Sequence, residues 1–511
     1  EDSICRKAFL LKLFESSIVL DDELCVSELS DMYNNDVPFF WYRSDKKYIY
    51  DSCGRKKNFA LSDTMINKAV CKINRMCDMD LKRQLSFIRI SFLDEFDIYK
   101  IPDSRCIDNI ATLPLNRANQ LLPIECIKRI LEIIKNKSFS DKNSSISKRI
   151  WLEVNRIPEY PNYVSFITAD LYGGLSGFGL VLDKCAELLD DLSIKELSED
   201  IEFDLLNNFS EIVSKKTLKF GAFNGVLGIV YWLCKKKNCQ EQYLSSIQAV
   251  INSIDNCIVD DCDIILGKAG IMKILLLVRE KMCFGEDVNR KIDETLLRLK
   301  SQIIDMAIYE SDDSIHWGVE GFVGYAHGVA GIIDALADYY KVYHDDDVLF
   351  YVTSGYNYIS KQFNEIANNW HKGLQKKEYS KGWCHGASGI ALLQCNLIEI
   401  FGEKIVSKKD LMKSCEIIIA NGFGEDFCMC HGDSGNLIIL KRCAKILSDD
   451  DLLKICHEKL NDMLSNMYDK IFGDYFYYFE NNALMLGVLS IITAILDIEY
   501  DMNIGDVLSL H

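Results

Sequence analysis

No proline follows Pro161 in this chain of 511 residues; all six, Pro38, Pro102, Pro114, Pro123, Pro158 and Pro161, lie at or before that point. Glycine is one-sided in the opposite sense, since of 29 glycines only Gly54 precedes residue 161. Without proline there are no ring-induced helix breaks. Apolar residues at helical period, as in Ile332-Ile-Asp-Ala-Leu-Ala-Asp-Tyr-Tyr, therefore read as one helix after another. Apolar runs near twenty residues are also missing, which speaks against a membrane-spanning helix, and the start carries no secretory signal pattern. Positive charge is short: 58 Lys and Arg against 76 Asp and Glu leave a formal charge of −18. That balance argues against a nucleic-acid or anionic-membrane partner.

Cysteine is plentiful, at 20 residues, but a disulfide framework is not what the pattern describes. Most cysteines stand alone in helix-like runs, as Cys234 and Cys443 do, where a free thiol behaves as a small buried hydrophobe. A chain of this size without a signal pattern is expected to be reduced and cytoplasmic. Hydrophobic residues make up 49%, enough for a large core and more than one domain. The first residue is Glu rather than Met, so the chain reads as a processed or excised piece. The composition break near residue 160 separates two expected parts, residues 1–150 and residues 160–511. The polar run from Asn136 to Lys148 suits a linker or exposed loop.

The glycines of the second part are ordered. Gly-x-x-Gly opens an apolar helix at Gly174/Gly177, Gly225/Gly228, Gly267/Gly270, Gly328/Gly331, Gly386/Gly389 and Gly432/Gly435, with a degenerate seventh at Gly487/Ser490. Separations of roughly 40 to 60 residues fit a pair of helices per repeat. Such units bury their faces only by stacking, either as an open solenoid or as a closed ring of helical hairpins. The units stay regular from first to last with no polar caps, which favours the ring. Two small residues three apart on a helix let another backbone approach closely, so the glycines speak of packing rather than chemistry.

Chemistry enters with the residues ahead of three of these glycines. The sequence reads Tyr325-Ala-His327-Gly328, Trp383-Cys384-His385-Gly386 and Cys428-Met-Cys430-His431-Gly432, and so uses three of only eight histidines. If the repeats are equivalent, these positions lie at one end of the ring. Cys384, Cys430 and His431 then make a borderline-soft N/S set that suits zinc and leaves a fourth position open, the pattern of a catalytic site. Cys428 could replace Cys430, but Cys384 and Cys430 share the offset of two residues before the glycine, and register favours Cys430. The alternative is a pair of ordinary buried thiols and a capping histidine. Two thiolate ligands favour activation of a bound thiol, which the metal deprotonates near neutral pH, over activation of water. His327 is a candidate general acid or base, or else ties helix ends together. His385 could serve that role or only support the site. Asp170 could orient such a histidine or act as a helix cap.

These motifs resemble the lanthipeptide cyclase family. Trp383-Cys384-His385-Gly386 and Cys430-His431-Gly432 are similar to its zinc motifs, Gly324-Tyr-Ala-His327-Gly328 to its Ala-His-Gly motif, and Asp170-Leu-Tyr to the aspartate ahead of its first Gly-x-x-Gly. The resemblance spans about residues 160 to 500. It implies an all-α fold, an α/α toroid of seven helical hairpins, after a smaller, mainly helical segment. The form Trp-Cys-His-Gly-Ala-Ser-Gly-Ile looks most like the cyclase half of class II bifunctional synthetases. Asn35-Asp-Val-Pro-Phe-Phe and Gln84-Leu-Ser-Phe-Ile-Arg-Ile-Ser resemble the trailing end of their dehydratase domain, so residues 1–150 read as its remnant plus linker. No glycine-rich phosphate loop occurs there.

The activity implied is zinc-dependent addition of a cysteine thiol to dehydroalanine or dehydrobutyrine in the same peptide, with His327 as proton donor. Implied partners are a dehydrated precursor peptide, leader plus core, and membrane-associated export machinery, with no nucleic acid. Standalone cyclases tend to carry an arginine four residues before the first zinc cysteine; here Ser380 stands, with Lys381 beside it. Two rivals are another zinc thiol-alkylating enzyme, including a relative that adds glutathione, and a non-catalytic zinc-stabilised peptide-binding module. No Arg/Lys cluster accompanies the motifs, which counts against a prenyl diphosphate site.

Overall fold

The computed structural model describes residues 23–34, 36–77, 122–140, 148–155, 163–214, 219–236, 241–254, 259–467 and 481–511, with isolated positions between 80 and 88. The chain divides into two compact units, Glu1–Phe92 and Leu93–His511.

The first unit holds α1 (Glu23–Tyr33), three strands β1 (Phe40–Tyr42), β2 (Tyr48–Asp51) and β3 (Lys56–Ala60), then α2 (Met65–Arg75). The strands form an antiparallel sheet in the order β1-β2-β3. Asp51 is its buried anchor, accepting from the Arg55 backbone at 2.8 Å and pairing with nearly buried Lys57 at 2.6 Å. Thr64 caps α2 by accepting from Asn67 N at 3.2 Å. The expectation of a mainly helical segment misses this sheet. Its strands are too short for period-two alternation to register. Most of the Gln84–Ser91 motif, like residues 141–147 of the expected linker, lies outside the described residues.

The second unit opens with α3 (Pro123–Lys137) and two small antiparallel pairs, β4 (Phe139–Ser140) with β5 (Arg149–Ile150) and β6 (Leu152–Asn155) with β7 (Tyr163–Phe166). Next come α4 (Leu175–Leu189), α5 (Leu192–Asn207), α6 (Phe209–Ser214), α7 (Leu227–Lys235), α8 (Glu241–Ile254), α9 (Lys268–Lys281) and α10 (Glu286–Asp305). The hairpin β8 (Ile308–Ser311)–β9 (Ser314–His316) leads to α11 (Val329–Tyr343) and α12 (Asp347–Lys361). The pair β10 (Phe363–Asn364)–β11 (Asn369–Trp370) precedes α13 (Ala387–Phe401), α14 (Lys408–Asn421), α15 (Asp433–Leu447), α16 (Asp450–Asn466) and α17 (Leu489–Ile498). A short 3₁₀ turn, Ile504–Ser509, follows.

Seven of these helices, α4, α7, α9, α11, α13, α15 and α17, start at the repeat glycines. Each packs on the next, and α17 packs back on α4, which closes the ring. They are buried almost all round, as inner helices must be. An outer helix backs each one: α5, α8, α10, α12, α14 and α16 serve the first six, and α17 packs against α3. The seventh pair is thus completed from upstream of residue 160. Its start is marked by Pro123 at the first helical position, where proline's missing N–H costs nothing.

The glycine spacing has a physical cause one step closer than a neighbouring helix. A Cβ on Gly328 would collide with the carbonyl of Phe322, and one on Gly331 with that of Tyr325. Gly386 and Gly389 stand in the same way against Ser380 and Trp383, and Gly432 and Gly435 against Asp426 and Met429. The carbonyl always belongs to the residue six places earlier, so the backbone that approaches is the helix's own entry loop folding back. Ser490 replaces the second glycine of the last unit and turns its hydroxyl onto the Gly487 carbonyl.

The entry loops are joined to one another. Tyr172 N donates to Phe223 O at 3.0 Å, Phe223 N to Ile265 O at 3.2 Å, Ile264 N to Ala326 O at 3.2 Å and Ala326 N to Cys384 O at 3.2 Å. Cys384 N donates to Cys430 O at 3.2 Å, Cys430 N to Met485 O at 3.1 Å and Met485 N to Tyr172 O at 3.1 Å. The seven accepting residues all stand two places before the first glycine of their unit. A closed belt of backbone hydrogen bonds therefore rings one end of the toroid and satisfies loop groups that burial would leave unpaired.

Candidate metal centre

Cys384 and Cys430 are two members of that belt, on adjacent loops. Gly382 lets the loops touch, since a Cβ there would strike the Cα of His431. The ligand atoms of Cys384, Cys430 and His431 lie within 4.8 Å of one another. Cys430 is buried, Cys384 partly so, and the His431 side chain is 48% exposed, which puts the group at a mouth rather than in the core. The hydrogen bond between the two thiols holds the Cys384 thiol down to about 4 and, together with burial, pushes Cys430 up. His431 is raised to about 12, first by Asp426 and then by Cys384 and Cys428.

Cys428 belongs to a second, overlapping group with Asp426 and His431. Its sulfur accepts the His431 backbone N–H at 3.4 Å and its own N–H donates to Asp426 at 2.9 Å. These bonds shape the loop, while Cys430 faces Cys384. The described cysteines are all free thiols.

His327, from the loop before α11, sets Nδ1 2.7 Å from Asp263 Oδ2. Asp263 is fixed in turn, because its Oδ1 accepts the backbone N–H groups of Leu266 and Gly267 at 2.8 Å each. The Asp263 hydrogen bond raises the His327 pKa against the effect of burial. The His385 ring stacks on His327 at 5.6 Å between centroids and tilts against Phe322 at 5.2 Å. Burial lowers His385, and its Nδ1 is buried without a hydrogen-bond partner. The two histidines therefore lie side by side with their pKa values driven apart.

Asp170 does not orient these histidines. Its Oδ1 accepts from Gly173 N at 2.9 Å and its Oδ2 from Thr168 Oγ1 at 2.6 Å, so it fastens the turn before α4. The orienting aspartate is Asp263, which precedes Gly267 by four residues as Asp170 precedes Gly174. That shared spacing was the available signal, and it does not say which of the two meets a histidine. Tyr172 was also missed. Its phenol acts on the Cys430 thiol and lowers its pKa, and it stands at the same offset from its glycine as Cys384 and Cys430 do from theirs. Near Ser380 the cations are Lys381, paired with Glu425 at 2.8 Å, and Lys372, paired with Glu378 at 3.0 Å. Lys372 is among the charges that depress His385.

A family model described as lanthionine synthetase C-like protein matches residues 165–508, the stretch that carries the seven inner helices and every residue of this centre. The chain belongs to that family. This lanthionine synthetase C-like chain is 23% identical over 481 residues to the lacticin 481/lactococcin biosynthesis protein LcnDR2 of Lactococcus lactis subsp. lactis, covering 91% of this chain and 48% of that protein. It is 25% identical over 197 residues to glutathione S-transferase LANCL1 of Danio rerio, covering 37% of this chain and 47% of that one. Among solved structures, nisin cyclase superposes with a TM-score of 0.51 at 18% identity, over 67% of this chain and 92% of that one. That likeness supports the toroidal fold. The chain spans about half the length of the curated relatives it matches. The match to the lacticin 481 protein extends well ahead of residue 165.

Proposed function

We propose that this chain closes thioether rings in a peptide, adding the sulfur of a substrate cysteine to the β-carbon of a dehydroalanine or dehydrobutyrine in the same molecule. The observation that carries the reading is the convergence of Cys384, Cys430 and His431 within 4.8 Å at the mouth that also holds His327 on Asp263. Two thiols and an imidazole at this separation fit a zinc ion, whose preferred donors and tetrahedral reach they match. When bound there, zinc supplies an open position at which a thiol gives up its proton near neutral pH.

The rest of the work falls to side chains. As the S–C bond forms, the alkene electrons move onto the amide carbonyl as an enolate, and the α-carbon must take a proton. The thiol proton leaves and an α proton arrives, so the addition is balanced. His327 delivers the latter. Its Nδ1 is committed to Asp263, Nε2 is the free nitrogen, and the Asp263 carboxylate favours the protonated form. His385 lies beside it, with burial disfavouring its charged form. The substrate in this reading is a dehydrated precursor peptide, leader plus core, met in the cytoplasm before export machinery at the membrane. Residues 1–150 are read as the end of a dehydratase-like domain. No helix among the described residues is long and apolar enough to cross a membrane.

The test supplies the purified chain with a dehydrated, cysteine-containing peptide and follows free thiol, with and without a chelator. Loss of thiol that needs metal and disappears in His327→Ala is expected; constant thiol in the zinc-loaded sample overturns the assignment.

A further inference from the structure

The inner helices carry the belt at their N-terminal ends, and their C-terminal ends surround a separate cavity of about 870 Å³ at the far side of the ring. Its lining includes Lys273, Asp338, Arg442, Asp497, Leu508 and His511. The segment after α17 turns back into this mouth, with Ile504, Val507, Leu508 and Leu510 buried. Five of the seven inner helices hold it. Gly505 N donates to Asp497 Oδ2 of α17 at 2.8 Å, and Arg442 of α15 donates to Ser509 Oγ at 3.0 Å. His511 Nε2 lies 2.9 Å from Asp338 Oδ2 of α11 and 3.3 Å from Lys273 Nζ of α9. Tyr231 of α7 donates its hydroxyl to His511 O at 3.2 Å.

One bond passes from this segment to the other end. Trp383, fully buried and next in sequence to Cys384, donates its indole N–H to Leu508 O at 3.1 Å. A buried indole needs such an acceptor. Its ring also lies 5.9 Å from Tyr325, two residues before His327, and 5.3 Å from Phe223, whose carbonyl is part of the belt. The same side chain therefore touches the loop that bears a thiol, the loop that bears the histidine and the segment that fills the far mouth.

We propose that residues 504–511 act as a plug that positions the thiol centre, with Trp383 as the positioning residue between them. This rests on the reading of Cys384 as a metal ligand and adds a new element to it. Seating of the plug fixes the indole, the indole fixes the backbone of Cys384, and the sulfur is held where the other two donors meet. A loosened plug leaves the ring closed but lets the Cys384 sulfur wander, and small displacements of reacting groups are costly.

The test uses the full chain loaded with Co²⁺, whose thiolate charge-transfer absorption reads Cys384 and Cys430 without any peptide. Trp383→Phe keeps an aromatic side chain but removes the N–H together with the five-membered half of the indole. Gly505→Ala acts from the far side, because its Cβ would collide with Ile438 and Asp497 and push the plug outward. Both variants are expected to weaken and shift the Co²⁺ band and to lower kcat about tenfold with KM little changed. The double variant should add little to either single one. Wild-type Co²⁺ spectra and kcat in Trp383→Phe, whatever its melting temperature, overturn the proposal and leave the metal-centre reading standing. A wild-type chain that takes up no Co²⁺ overturns both.

Discussion

The two ends of the toroid are made from the same seven helices, yet they satisfy their polar groups in opposite ways. At the belt end, His327 is 45% exposed, His385 has a buried nitrogen without a partner, and two thiols and an imidazole lie within 4.8 Å of one another. At the far end, Lys273 is 1% exposed and sits between Asp334 and Asp338. Asn396 donates to both carboxylates, at 2.7 and 3.0 Å, and the Tyr325 hydroxyl closes on Asp334. Burial alone would lower Lys273, but the two carboxylates outweigh it and raise its pKa. Helix polarity agrees with the division. N-terminal helix ends favour negative charge and face the thiols, whereas Lys235, Arg279, Lys281, Lys341 and Lys445 occupy last turns at the far end. One end is saturated and holds shape. The other keeps unfilled valence for a ligand.

Variants that cross this division give the sharpest tests. Cys430→Ala removes a donor from the unsaturated end and is expected to cut peptide thiol consumption by about a thousandfold, the scale of losing a preorganised electrostatic element. Cys428→Ala should keep most activity, and bound metal per chain separates the two cases. Lys273→Met leaves Asp334 and Asp338 facing each other in the saturated end. It should lower stability by about 3–5 kcal/mol in urea unfolding while the surviving folded protein still binds metal.

Asp263→Asn should slow turnover by about a hundredfold, the lower range for general acid catalysis. It also tests pH dependence. His327 is raised by Asp263, so its protonated form is favoured in the folded chain, and activity as an acid is lost as pH rises through the folded pKa. By linkage, the pair's contribution to stability is full below the unfolded value of 6.5 and is lost as pH rises through the folded one. The substitution should move both losses to lower pH, which an NMR titration of His327 would read directly. Asp170→Asn is expected to change least: under about 1 kcal/mol of stability, as for a weakened cap, with an unaltered pH profile.

Register carried the sequence reading furthest. Counting back two residues from each first glycine selects Cys384 and Cys430, and the belt shows that this offset is one structural position around the ring. The same count would also have singled out Tyr172, had its phenol been considered beside a thiol. Asp263 and Asp170 could not be separated by spacing, because only the fold brings one of them to His327. The far-end cluster was invisible for a different reason. Lys273, Asp334, Asn396 and His511 sit on apolar helix faces and at the end of the chain, and nothing local marks them as partners. The sheet of the first unit escaped because its strands are so short.

The helix α3 has a consequence for how such a ring comes into being. Residues 123–137 pack on residues 489–498, so the seventh helical pair joins segments far apart in the chain. Without α17 the ring would be open, and the flanks of α4 and α15 that it covers would be bare. Closure between such distant segments is slow, and open intermediates of this kind are prone to associate. A piece cut at residue 160, where composition changes, would lose α3 and with it the packing that α3 gives the last helix. Any open form of the ring would therefore associate first through the flanks of α4 and α15 that α17 covers in the closed one.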